Sequence, residues 1–217
     1  MIVLKVGGAS TAGVADAVRS VGGPVCVVHG AGPQITAELE RRGIPVRFVG
    51  GRRVTTVEVL AVVRESLAAV NEAVCAAIGP SAVPLAGDEV GLEAVPVPGL
   101  GHVGAPVPSA PPAVRDALGA GLVPVLTPLA RGPLNVNADE AAAALALGLG
   151  ADRIRFVTDV PGVYHDGAIV ASISAHRAES LVRDGSFEGG IVPKLLAASR
   201  AARHGVPAEI GATAVVA

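Results

Sequence analysis

Ile2-Val3-Leu4-Lys5-Val6-Gly7-Gly8 opens the chain, and the fold class turns on this stretch. It is an apolar run rich in β-branched residues, too short for a stable helix, and it stops at two glycines. Such a run reads as a buried strand that delivers one lysine to a backbone-permissive turn. Thr11–Val21 follows with helical spacing, and the unit then repeats. Val25–Val28 is a second buried strand ending in His29-Gly30-Ala31-Gly32-Pro33, and Gln34–Arg42 is a helix that Gly43 terminates. Strand–turn–helix units in series predict parallel strands covered by helices on both faces. The fold class is therefore α/β, a three-layer αβα sandwich with an open, mainly parallel sheet.

Composition supports that class and excludes others. Of 217 residues, 51% are hydrophobic but only 2% aromatic, with no Trp, so the core must be built from Val, Ala, Leu and Ile. The net charge of −2 carries no basic run, which argues against nucleic-acid binding. No apolar stretch approaches the ~20 residues of a spanning helix, and the first residues carry Lys5 where a signal peptide needs an apolar core. Cys26 and Cys75 lie in apolar surroundings, as buried hydrophobes in a reducing compartment do. A cytoplasmic protein without membrane or nucleic-acid partners is the expectation.

Further along, Val57–Ile78 predicts a long helix and Val83-Pro84-Leu85 a strand end. Gly87–Pro112 is rich in Gly, Pro and Val. Its segments Val95–Val97 and Val103–Val107 read as a β-hairpin insertion. Ala113–Ala120 is helical and Leu122–Thr127 a strand. Asp139–Gly148 is helical with Asn137 as its N-cap, and Ile154–Thr158 is a strand. Helices at Ala175–Arg183 and Lys194–His204 alternate with strands at Val206–Ile210 and Thr213–Val216.

Several strand ends carry chemistry, and ligands in open α/β sheets bind at those ends. Lys5 and Lys194 sit at opposite ends of the chain. Lys5 precedes Gly7 and Gly8, and Lys194 follows Gly189-Gly190-Ile191-Val192-Pro193. Point charges on rigid elements, beside amides that no Cβ screens, suit a polyphosphate. An ordinary strand–turn–helix with a solvated lysine would also satisfy each motif alone. Gly30, Ala31 and Gly32 could admit a carboxylate or phosphate to main-chain amides, while His29 reads as a structural hydrogen-bonder. In Gly50-Gly51-Arg52-Arg53-Val54-Thr55 a guanidinium fork suits a carboxylate; the alternative is that the pair dresses a surface turn. Asn135-Val136-Asn137-Ala138-Asp139 alternates polar groups, one Asn toward a ligand and one capping a helix, with Asp139 placed to hold lysine ammonium groups or the outer waters of a metal ion. Thr158-Asp159-Val160-Pro161-Gly162-Val163-Tyr164 ends another strand. No Gly-x4-Gly-Lys-Ser/Thr pattern is present, so the phosphate device is not a P-loop.

Taken together and in this order, these segments resemble the amino acid kinase family, and within it the N-acetylglutamate kinases. Gly101-His102-Val103-Gly104 and Val123-Pro124-Val125 add to the match, which covers nearly the whole chain. The resemblance implies a single domain over 1–217. An N-terminal lobe, 1–134, would take the acyl amino acid, and a C-terminal lobe, 135–217, shortened here, would take the nucleotide. It implies transfer of the γ-phosphoryl of ATP, with Mg2+ carried by the ATP rather than by a protein metal site, onto the side-chain carboxylate of N-acetyl-L-glutamate, as in arginine biosynthesis. Lys5 and Lys194 would stabilise the moving phosphoryl group, with Asp139 orienting both. Gly30, Ala31, Gly32, Arg53 and Asn135 would hold the acceptor, and Gly7, Gly8, Asp159, Val160, Gly162, Val163 and Tyr164 would line the nucleotide site.

Two departures from the family pattern stand out. Ala31 replaces the middle of three glycines, and only Gly211-Ala212 lies where a loop and helix usually sit, with Ala214 in place of an arginine. Nothing precedes Met1, which fits a homodimer without arginine feedback. Two other readings are a kinase for a carrier-protein-linked aminoadipate or glutamate, and a non-catalytic ligand-binding homologue.

Overall fold

The computed structural model describes residues 1–7, 13–158 and 160–217. The first half runs β1 (Ile2–Val6), α1 (Val14–Val21), β2 (Val25–His29), α2 (Gly32–Arg41), β3 (Phe48–Val49), β4 (Arg52–Arg53), α3 (Val57–Ile78) and β5 (Ala82–Ala86). Then come α4 (Gly87–Val90), β6 (Ala94–Pro96), β7 (Val103–Pro106), α5 (Pro112–Gly119), β8 (Val123–Thr127), β9 (Leu129–Ala130) and β10 (Leu134–Val136). The remainder is α6 (Ala138–Leu149), β11 (Arg153–Val157), β12 (Tyr164–His165), β13 (Ala168–Ile169), β14 (Ser172–Ser174), α7 (Ala175–Arg183), α8 (Ile191–Arg203), β15 (Ala208–Ile210) and β16 (Thr213–Val216).

Eight strands form one sheet in the order β14-β16-β15-β11-β1-β2-β8-β5. From β11 to β5 every neighbour is parallel, and β15 also pairs parallel with β11; only β16 against β15 is antiparallel. Strand alternation splits the core in two. Val3, Cys26, Val28, Ile154 and Phe156 face one way and pack with α5, α6, α7 and α8. Leu4, Val6, Val25 and Val27 face the other way, against α1, α2 and α3. The layers are those the composition predicts: Ala141 to Ala144 of α6 are essentially inaccessible, so this helix lies close on the sheet without aromatic filler. Burial pushes the Cys26 thiol up to about 12, consistent with a packing role.

Element boundaries differ from expectation in instructive places. The last long helix begins at Ile191 rather than Lys194. Pro193 falls in its first turn, where the amide that proline lacks has no helical partner anyway. The helix expected from Thr11 is seen from Val14, Thr11 and Ala12 being outside the described residues. The 94–106 hairpin is not a free insertion but half of a second sheet, β6-β7-β10-β9. The short strands β3, β4, β12 and β13 were invisible to periodicity because two residues have no period. No helix among the described residues is long and apolar enough to cross a membrane.

Candidate active site

Strand polarity places the site. β1 lies between β2 and β11, and all three run parallel, with Val6 opposite His29 on one side and Val157 on the other. The turns after these strands therefore emerge at one edge, where the strand order of the sheet reverses about β1. A cleft of about 760 Å³ opens there.

Lys5 projects from β1 toward α6, the face opposite to that of Leu4 and Val6. It is buried to 6% exposure and lies 2.9 Å from Asp139 Oδ1. Both side chains are more than nine-tenths buried. The contact meets the distance of an ion pair but not the alignment of a hydrogen bond, since Asp139 Oδ1 has no hydrogen-bonding partner. An ammonium so placed is neutralised yet keeps donor directions for another anion. Asp139 is in the first turn of α6, whose Asn137 accepts from the amides of Asp139 and Glu140, fixing where the carboxylate points.

Lys194 lines the same cleft. It sits in the first turn of α8 and donates back to the Gly190 carbonyl at 3.2 Å. Three helix starts border the cleft: Gly32 and Pro33 of α2, Ala138 and Asp139 of α6, and Gly190 before α8. Their positive dipole ends and two lysines concentrate the potential that phosphate groups need.

Arg53 supplies a third cation. It is 7% exposed, and one terminal nitrogen, Nη2, is held by Thr36 Oγ1 at 2.8 Å and the Gly32 carbonyl at 3.3 Å. The Phe48 ring lies 4.7 Å from the guanidinium carbon. The other terminal nitrogen, Nη1, is buried without a partner. Burial also lowers the affinity of Arg53 for its proton. A carboxylate docking on the open side of the fork would relieve both penalties. The strand end carrying Arg53 is anchored through Thr55, which is fully buried, donates to the Arg53 carbonyl at 2.8 Å and accepts from Asn135 Nδ2 at 3.0 Å. Gly101 makes this approach possible: its φ is +75°, and a Cβ there would lie 2.3 Å from the Thr55 carbonyl oxygen.

The structure thus gathers Lys5, Gly7, Gly30, Ala31, Gly32, Arg53, Asn135, Asp139 and Lys194 into one cleft. Gly8 and Asp159 lie outside the described residues. None of the described residues of the turn after β11 lines this cleft. Val160 and Tyr164 are exposed, whereas Val163 is fully buried in the core and its amide donates to Thr213 Oγ1 at 2.9 Å. The Val163 side chain therefore packs in the core and does not face this cleft. Gly162 backs onto Ile169 and Thr213, and Ala212 of the two-residue β15–β16 turn donates to Pro161 O at 2.8 Å.

Sequence reasoning missed Thr36 and Phe48, which hold Arg53, and it gave Arg52 no role of its own. Arg52 instead grips Glu140 with Nη2 at 2.8 and 2.9 Å from the two carboxylate oxygens, tying the β3–β4 hairpin to the start of α6. Nothing local marks the Thr36 and Glu140 contacts, because these partners are 17 and 88 residues away.

Comparison with known proteins agrees with this geometry. The model of the amino acid kinase family matches residues 1–212. The acetylglutamate kinase of Rubrobacter xylanophilus is 43% identical over 221 residues, spanning 96% of this chain and 87% of its own. That of Geobacillus kaustophilus is 40% identical over 200 residues, spanning 87% and 78%. Among solved structures, smu.665 from Streptococcus mutans superposes with a TM-score of 0.87 at 25% identity, over 99% of this chain and 98% of that one. Carbamate kinase from Giardia lamblia bound to AMP-PNP shares the fold, with a TM-score of 0.73 at 16% identity over 99% and 97%. The chain belongs to the amino acid kinase family.

Proposed function

We propose that this kinase transfers the γ-phosphoryl group of MgATP to the side-chain carboxylate of N-acetyl-L-glutamate, giving the acyl phosphate used in arginine biosynthesis. The observation that carries the reading is the pairing, in one cleft, of the buried Lys5–Asp139 ion pair with Arg53 and its unpartnered Nη1. A dicarboxylic acceptor needs two such poles, one to hold the carboxylate that stays and one to receive the carboxylate that reacts. The family relatives named acetylglutamate kinase support the same acceptor.

The chemistry follows from charge. A carboxylate oxygen attacks the γ-phosphorus, the bond to the β–γ bridging oxygen breaks, and ADP leaves with that electron pair; no proton need move. Both reactants are anions, so alignment and neutralisation supply the rate enhancement. Arg53, Asn135 and the amides of the Gly30–Gly32 turn fix the acceptor. Lys5, oriented by Asp139, and Lys194, at the head of α8, offset the charge that spreads over the phosphoryl oxygens. Mg2+ enters bound to the ATP phosphates. The base and ribose are assigned to the main chain around 160–164, because β11 is parallel to β1 and its following turn emerges beside Gly7. Residues 1–134 then serve the acceptor and 135–217 the nucleotide, with a homodimer as the working unit.

The test is ADP release with MgATP and, in parallel, N-acetylglutamate, N-acetylaminoadipate, glutamate and UMP, with hydroxylamine to trap acyl phosphate. Trapped product with N-acetylglutamate alone is expected. ATP binding without turnover of any of the four would overturn the acceptor assignment and point to a carrier-linked acid.

A further inference from the structure

The Gly30–Gly32 turn borders the cleft, but what holds it lies behind the sheet. His29 ends β2 with its side chain toward α3, away from Lys5, and is fully buried. Asn71, on α3 and 4% exposed, reaches it: Asn71 Nδ2 donates to the Val125 carbonyl at 3.0 Å and lies 3.1 Å from His29 Nε2. A carbonyl oxygen can only accept, so the Asn71 atom facing Val125 must be the nitrogen. That same NH2 group faces Nε2, which must then be the unprotonated nitrogen of the ring. The proton is left on Nδ1, which lies 3.4 Å from the Gly30 carbonyl. Asn71 Oδ1 is occupied separately, accepting from Cys75 Sγ at 3.5 Å.

We propose that Asn71 is a positioning residue for the acceptor-binding turn: it fixes His29 as the Nδ1–H tautomer, whose donation to the Gly30 carbonyl sets the direction in which the Ala31 and Gly32 amides face the cleft. Neither His29 nor Asn71 lines the cleft, whereas Gly30, Ala31 and Gly32 do, so the pair acts through the turn and not on the substrate. The front of the turn is pinned separately, by the Gly30 amide donating to the Val6 carbonyl at 3.1 Å. With the front fixed, the orientation of the Gly30 peptide is the freedom left for the imidazole to remove. Ala31, with φ −141° and ψ 27°, caps α2 without a side-chain hydrogen bond, and Arg53 holds the Gly32 carbonyl rather than the Gly30 peptide. Burial, with the Lys5 charge nearby, also keeps the ring neutral, lowering its pKa to about 4.

The inference rests on the proposed acceptor site, but its first readout does not. In 15N-labelled protein without ligand, NMR of the imidazole nitrogens should show His29 protonated at Nδ1 and bare at Nε2. Asn71→Asp presents only acceptors to Nε2, so the proton should move there, and the Ala31 and Gly32 amide resonances should shift with it. In the same variant the KM for N-acetylglutamate should rise about tenfold, with kcat falling less. Asn71→Leu, which neither donates nor accepts, should show a smaller KM rise and a mixture of tautomers.

An Nε2–H tautomer in the wild type overturns the proposal without any variant needing to fold. A tautomer switch in Asn71→Asp that leaves the Ala31 and Gly32 amides or the KM unmoved overturns it as well. If the wild type does not turn over N-acetylglutamate, the acceptor assignment fails, and the NMR arm still decides the positioning claim.

Discussion

The Lys5–Asp139 pair permits a prediction that separates a catalytic role from a structural one. At 2.9 Å, and with an effective dielectric of about 20, the attraction is ~6 kcal/mol. Desolvating two ions offsets most of that, so the intact pair adds little net stability. Removing one partner is different, because it strands a buried ion. Lys5→Met or Asp139→Leu alone should each cost about 3–5 kcal/mol, or roughly 6–20 °C in Tm for a chain of this size. The double variant Lys5→Met/Asp139→Leu removes both charges and should recover most of that loss. Its turnover should not recover. Without the ammonium, charge developing on the phosphoryl oxygens loses a preorganised partner, an effect of about 10²–10³ in kcat. Urea unfolding followed by circular dichroism gives the stability arm, and initial rates of hydroxylamine-trapped acyl phosphate give the other. A double variant that regains both stability and wild-type turnover would show the pair to be a staple and refute the catalytic assignment. A double variant as unstable as the singles would refute the stranded-ion reasoning.

Other expectations are independent of that pair. Lys194→Ala should lower kcat by about 10²-fold while changing the acceptor KM little, because its charge matters most as the phosphoryl group moves; a loss confined to KM would count against it. Arg53→Lys keeps the charge but loses the fork and its bond to Thr36, so the acceptor KM should rise about 10–100-fold with kcat near wild type. An unchanged KM would remove Arg53 from the acceptor site. His29 titrates near 4 when folded against 6.5 when unfolded, so the unfolded chain binds the extra proton between those values. Its contribution to stability is complete above pH 6.5 and falls by about 3 kcal/mol as pH drops to 4. Unfolding free energies of wild type and His29→Gln should converge in slope above that window and diverge within it; parallel slopes throughout would contradict a buried neutral imidazole.

Much of this architecture is legible in the chain because it depends on local order. Ile2–Val6 alternates across a strand and ends at glycines, Val57–Ile78 keeps one helical period throughout, and Asn137 stands directly before its helix. Each is a property of neighbours within a few residues, which periodicity and capping chemistry report. The glycine turns and the two lysines were likewise visible as motifs. That Lys5 and Asp139 form an ion pair, that Arg53 leaves one nitrogen open, and that Arg52 grips Glu140 are facts of another kind. They join segments 134, 17 and 88 residues apart, and no spacing rule encodes which face of a strand meets which helix. The same holds for Val163, whose turn reads as a ligand loop but whose side chain is drawn inward by the core. The sequence by itself determined the layers, the strand ends and the kinds of charge carried to them. Only the tertiary structure decided which charges meet, because burial and pairing are set by packing across the sheet, where chain distance has no bearing.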